Sequence, residues 1–177
     1  GCLSWSEMEV IRSTIQEIKT KCRWCVVVAH GGEEFTAIPS PYTRERYHAY
    51  LEMGADLVVC HHPHVPMNYE TVGDKMIFYS LGNFISDQVG IERLTGLMVT
   101  LNVKKVVEKQ ISTVTVENVK GSLLYTKSNS YTPRNFRVYP YSQLNSTILP
   151  NYKSYYEKYK AVVTSRYPNL QFDEVSG

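Results

Sequence analysis

The spacing of apolar residues changes several times along the chain, and each change predicts an element. In residues 7–20, Met8, Ile11, Ile15 and Ile18 recur at helical spacing and form one stripe. Ser6 and Glu9 just ahead have the Ser-x-x-Glu form of a capping box, predicting where that helix begins. Cys25 to Ala29 is a short unbroken apolar run that reads as a buried strand ending at His30-Gly31-Gly32. Pro39, Ser40 and Pro41 then punctuate a loop. Ser40 is placed to cap a second helix and Pro41 to open it, where its missing N–H costs nothing. That helix carries Tyr47, Tyr50 and Leu51 on one side and stops at Gly54. Leu57 to Cys60 is a second apolar strand, so strand, helix and strand follow one another as in a parallel sheet covered by helices.

Beyond the second strand the texture changes. Residues 69–72 and 75–79 flank Gly73-Asp74 and predict a hairpin with a tight turn. Two longer strands are expected at about 95–104 and 109–119, with Val114 and Val116 facing one way. Residues 121–149 are polar, aromatic and punctuated by proline, and read as irregular. Residues 151–166 predict a helix whose stripe is Tyr152, Tyr156, Tyr159 and Val163. Fourteen tyrosines invite thoughts of sugar binding, but at helical spacing they read as a packing face that keeps its hydroxyls wet. The fold class is therefore α/β: a βαβ unit, a hairpin, antiparallel strands and a C-terminal helix. Residues 1–120 are expected to form the main domain and residues 121–177 an extension packed on it and ending in a helix.

Composition narrows the function classes. At 177 residues the chain supports one domain with a real core. A net charge of +2 with scattered Lys and Arg argues against nucleic acid as a partner, and Lys104-Lys105 reads as a solvated pair. No apolar run approaches the roughly 18 residues of a membrane helix, and no signal-peptide pattern is visible. Opening on Gly1-Cys2 instead of Met suggests a processed form or a piece of a longer protein. The four cysteines, Cys2, Cys22, Cys25 and Cys60, lack the paired spacing of a zinc or redox site and read as small apolar residues.

The chemistry gathers after the two buried strands. One ends at His30, the other at His61, His62 and His64, so four of the five histidines lie at strand ends. Ligands of open α/β sheets collect at the carboxyl ends of parallel strands, and imidazole is the commonest neutral metal ligand. If the strands are neighbours, these rings share one edge. Alternate residues of an extended segment point the same way, so His62 and His64 could clasp one ion or straddle two, with Pro63 stiffening the loop. A histidine-rich surface loop and a metal-free polar network are the alternatives.

The stretches VVVAHGGEEF, GADLVVCHHPHV and IFYSLGNFISD, within residues 25–87, resemble three consecutive motifs of the CapA-type proteins of poly-γ-glutamate capsule synthesis, a branch of the calcineurin-like metallophosphoesterases. The resemblance implies part of that superfamily's α/β/β/α sandwich. It implies His30, His62 and His64 as metal ligands, with Glu34 as an acidic partner orienting a ligand or water. It further implies a catalytic or outer role for His61, the additional histidine of this branch. Asn83, in the Ser-Leu-Gly-Asn-Phe motif, is implied in the substrate pocket, as a turn or pocket-shaping residue before a ligand. Two departures stand out: Cys60 replaces a glycine before the paired histidines, and Gly31 stands where tryptophan is common.

The family's aspartate motif, bridging aspartate and Asn-His pair have no counterpart before His30, so only the carboxyl half of the family domain is represented. The cofactors implied are divalent ions (Mn, Fe or Zn), two in the intact family site and at most one, weakly held, here. The function implied is a metal-dependent phosphoesterase-like hydrolase of capsule biosynthesis. The alternative is a non-catalytic component of polymer synthesis or export that keeps the fold. The partners implied are a phosphate ester or anionic polymer, membrane-associated synthesis machinery and a missing N-terminal half, at the bacterial cell surface.

Overall fold

In a computed structural model, residues 3–4, 6–109, 111–129 and 135–175 are described. The first helix, α1 (Met8–Lys21), is followed by β1 (Val26–His30), α2 (Pro41–Met53) and β2 (Leu57–His61). Next come β3 (Tyr69–Val72), β4 (Lys75–Phe78), the single turn α3 (Ile91–Leu94), β5 (Thr95–Glu108) and β6 (Ile111–Ser128). The chain closes with β7 (Phe136–Pro140), α4 (Tyr152–Thr164) and β8 (Gln171–Phe172). Two four-stranded sheets result. The first runs β1-β2-β4-β3, parallel except for β3; the second runs β5-β6-β7, with β8 parallel to β6. The fold is α/β, as the alternation of periods predicts.

Each face of the first sheet has its own core. On one side Ile11 and Ile15 of α1 and Tyr47, Tyr50 and Leu51 of α2 close over Cys25, Ala29, Val58, Cys60 and Ile77. On the other, Leu57, Tyr69 and Phe78 meet Leu97, Leu123 and Tyr125 of the second sheet and Tyr156, Tyr159 and Val163 of α4. The tyrosine stripe of α4 is thus a packing face. Burial at roughly 25 cal/mol per Å² of apolar surface makes these two interfaces the main source of stability.

Polar ties join the layers. The Glu70 carboxylate, almost wholly buried, accepts from Arg44 Nε and Nη2 at 3.0 and 2.6 Å and from the Tyr79 hydroxyl at 2.8 Å. His48 Nε2 lies 3.2 Å from it. Asp56 accepts from the Cys25 N–H and from Lys19 Nζ, fixing the end of α1 to the start of β1.

Several local expectations are corrected. Helix α1 starts at Met8 with Glu7 at its N-cap and no side-chain cap, so the Ser6–Glu9 box does not form. The Glu7 carboxylate accepts the Ser4 N–H instead, at 2.8 Å. Ile18 is exposed, on an open hollow that it lines together with Ile11, Ile15 and Cys25. Helix α2 follows its reading: the Ser40 hydroxyl accepts the Thr43 N–H and the helix ends at Gly54.

Strand β6 continues to Ser128 and pairs with β7, so residues 121–128 and 136–140 are strand and not irregular. An extension starting at residue 121 would therefore be cut from the middle of β6, and the final element is β8, not a helix. Side chains of 121–126 are buried between layers, which stabilises strand despite the polar composition around them. Cys25 and Cys60 are buried and Cys22 is exposed, while Cys2 lies outside the described residues.

Candidate metal centre

Parallel pairing sets His30 directly beside His61, so the strand-end histidines of β1 and β2 do arrive at one edge. What happens next depends on backbone conformation. His62 has φ 112° and His64 φ 62°, and Phe35, on the loop after β1, has φ 61°. These are left-handed positions that side chains disfavour, at about 1–3 kcal/mol each, and they persist only where surroundings overdetermine them. The Phe35 N–H donates to Pro63 O at 2.9 Å and the Gly31 N–H to His61 O at 3.0 Å, stapling the two loops together. Tyr47, fully buried, donates its hydroxyl to Gly31 O at 3.0 Å from beneath.

The staple concentrates three donors. Glu34 Oε1 lies 3.9 Å from His62 Nε2 and 4.0 Å from His64 Nε2, and all three ligand atoms fall within 4.8 Å of one another. Two donors about 2.1 Å from a common ion stand at most about 4.2 Å apart, a limit that both Glu34–histidine separations already meet.

The next layer of contacts decides which imidazole nitrogens are free. Asn83 Nδ2 faces four acceptors: His64 O, Ser86 Oγ, Gln88 Oε1 and Arg93 O, at 3.0–3.3 Å. Its amide orientation is thereby assigned, and Oδ1 is left 2.9 Å from His64 Nδ1. That nitrogen must donate, so the His64 Nε2 lone pair is available to a cation. His62 Nδ1 lies 3.3 Å from His30 Nε2, the two rings meeting edge to face at 5.0 Å. Donation from His62 Nδ1 would free its Nε2 in the same way. Metal-binding histidines are oriented by such contacts, and the two imidazoles and one carboxylate suit a divalent ion.

The structure brings His30, Glu34, His62, His64 and Asn83 together. Glu34 stands beside the His62 and His64 Nε2 atoms, and His30, an expected ligand, lies against His62 through its Nε2. Asn83, expected in the substrate pocket, spends its amide on the loop and on His64. His61, expected to act in catalysis, is not part of the cluster: it lines a separate 280 Å³ hollow with Leu81, Gly82, Phe84 and Leu97. Burial, and then His30 alongside, lowers its pKa.

Of the two departures from the family pattern, Cys60 points into the helix-side core, where burial raises its pKa, and touches no ligand. Sequence reasoning missed Phe35, whose ring stacks on His64 at 5.9 Å, and Arg93, whose guanidinium lies 4.4 Å from the centre of the Phe35 ring. A bulky aromatic between acidic and polar loop residues was the one available signal. Sequence gave no sign of Gly96 either, where a Cβ would overlap the Asn83 carbonyl.

Comparison with known proteins agrees with the motifs. Residues 3–88 match the family described as "Bacterial capsule synthesis protein PGA_cap". That segment is similar to CapA-type capsule proteins. The "PGA biosynthesis protein CapA" of Bacillus subtilis (strain 168) is 35% identical over 100 residues, covering 56% of this chain and 26% of that protein. The "Capsule biosynthesis protein CapA" of Bacillus anthracis is 46% identical over 63 residues, covering 36% of this chain and 15% of that protein. The chain thus spans about a quarter or less of the CapA proteins it matches. The CapA match extends through α1, earlier than the motifs alone reach, and takes in every residue of the cluster.

Proposed function

We propose that this chain is part of a capsule or poly-γ-glutamate biosynthesis protein, and that Glu34, His62 and His64 bind one divalent ion in a phosphoesterase-like hydrolase site. The observation that carries this reading is the Asn83 contact: with Oδ1 2.9 Å from His64 Nδ1, the neutral imidazole presents its Nε2 lone pair on the side of Glu34 and His62. Three strained residues held around that point support it, since backbone strain gathers at functional sites. When bound, a divalent ion would supply a Lewis acid and an acidified water. The chain's own residues do the rest: His30 orients His62, Asn83 orients His64, and Glu34 closes the set from the solvent side.

Mn, Fe and Zn all suit this donor set, and a phosphate ester or anionic polymer is the substrate class. A cell-envelope setting, with the finer location at the bacterial surface among membrane-associated synthesis machinery, follows from the CapA relationship. No helix among the described residues is long and apolar enough to cross a membrane. Strand β1 lies at the edge of its sheet with Val28 71% exposed, which gives a preceding segment of a longer protein a strand to pair with.

A second reading keeps the fold and the ion without turnover, and the single carboxylate of the cluster favours it, because one carboxylate does not bridge two ions well. Calorimetric titration with Mn²⁺ or Zn²⁺, repeated on His62→Ala, tests the site: one ion bound by the wild type and none by the variant is expected. Absence of binding to the wild type would refute the reading. Hydrolysis of an aryl phosphate by the longer protein with Mn²⁺, lost in His62→Ala, separates the enzyme from the non-catalytic component.

A further inference from the structure

Arg93 is an odd residue to find beside the cluster. Its Nε is buried, with no hydrogen-bond partner, and the nearest carboxylate oxygen, Glu92 Oε1, is 3.8 Å away. Yet the side chain as a whole is one-third exposed, so part of it meets solvent. A buried donor without an acceptor calls for an explanation, and an absent ligand is one.

Two attachments hold Arg93 in place. Its carbonyl accepts the Asn83 amide that also orients His64, at 3.0 Å. Its guanidinium carbon lies 4.4 Å from the centre of the Phe35 ring, and that ring stacks on His64 at 5.9 Å with an interplanar angle of 27°. The guanidinium is therefore no more than about 10 Å from the His64 ring, the sum of the two spacings.

Phe35 itself is 46% exposed and strained, a costly arrangement for a residue that seals no core. As a platform it makes sense. A guanidinium resting on an aromatic face keeps its in-plane N–H edge free for a carboxylate or phosphate, and the stack fixes that edge beforehand.

We infer that Arg93, preorganised on Phe35, is an anion-recognition residue of this site, taking a carboxylate or phosphate group of a substrate whose reacting group lies at Glu34, His62 and His64. A separation of at most about 10 Å lets one substrate present an anionic group to Arg93 and a reacting group to the cluster. The inference rests on the proposed metal site for the word substrate, but the anion subsite is separately measurable.

The test uses metal-free chain titrated with inorganic phosphate and, separately, with glutarate. Arginine Nε–H resonances report on binding, with the Arg93 signal assigned by its disappearance in Arg93→Lys. A saturable shift of that signal is expected with at least one anion, and the arm that saturates tells phosphate from carboxylate. Calorimetry on Arg93→Ala should show anion affinity down about tenfold or more, the size of a charge-assisted hydrogen bond, with Arg93→Lys in between. Mn²⁺ affinity should stay within about twofold of wild type.

Unchanged anion affinity in Arg93→Ala overturns the inference. So does a parallel loss of Mn²⁺ affinity and melting temperature, which would make Arg93 a scaffold for Asn83. Mn²⁺ failing to bind wild type while Arg93 still saturates removes the metal reading alone. Mn²⁺ binding without anion saturation removes this inference alone.

Discussion

Replacing Glu70 with glutamine tests whether one buried carboxylate ties α2 to the hairpin of β3 and β4. Burial by itself would raise the Glu70 carboxyl, but hydrogen bonds from Arg44 and Tyr79, with His48 close by, outweigh it and bring it down to about 2. An ordinary glutamate titrates near 4.5. At only 3% side-chain exposure, solvent screening takes little from the interaction. The gap corresponds to about 3 kcal/mol of folding free energy at neutral pH. Because the folded value is the lower one, that stability is complete above the unfolded value and is lost as pH falls through about 2.

Glu70→Gln should therefore lower stability by about 3 kcal/mol at pH 7, or about 6–12 °C in melting temperature for a chain of this size. The gap between wild type and variant should narrow to about 1 kcal/mol at pH 3. Urea denaturation at both pH values, with the slope unchanged, is the assay. A gap below 1 kcal/mol at pH 7, or one of equal size at pH 3, would refute the reasoning.

Three further outcomes follow from the same contacts. Asn83→Ala removes the acceptor that sets the His64 tautomer, so Zn²⁺ or Mn²⁺ affinity should fall about 10- to 100-fold by calorimetry. Gly96→Ala places a methyl against the Asn83 carbonyl and should destabilise by about 1–3 kcal/mol while weakening metal binding in the same titration. In native protein, iodoacetamide should modify exposed Cys22 but not Cys25 or Cys60, whose burial raises both thiols; peptide mapping by mass spectrometry reads the difference, which should vanish in urea.

Much of this architecture is local and was therefore written in the chain. The stripe of α4, the Ser40 cap and Gly54 stop of α2, and the hairpin around Gly73-Asp74 each depend on residues within a turn or two of one another. The clustering of His61, His62 and His64 after a buried strand was visible for the same reason, and two of those rings meet Glu34 in the fold. Local signals failed where partners were distant. The polar stretch after residue 120 is strand because β7 and the buried layers hold it there.

The roles within the site were a tertiary decision. Alternation along an extended segment was the sequence argument for His62 and His64, yet both residues are left-handed, and it is the staple to the Phe35 loop that aims their rings. Glu34 lies beside the His62 and His64 rings and His30 against His62 because contacts across the fold, not spacing along the chain, set the direction of the rings at the strained His62 and His64. Sequence determined which chemistry was available; long-range hydrogen bonds through Asn83 and packing through Phe35 determined which of its atoms meet at Glu34, His62 and His64.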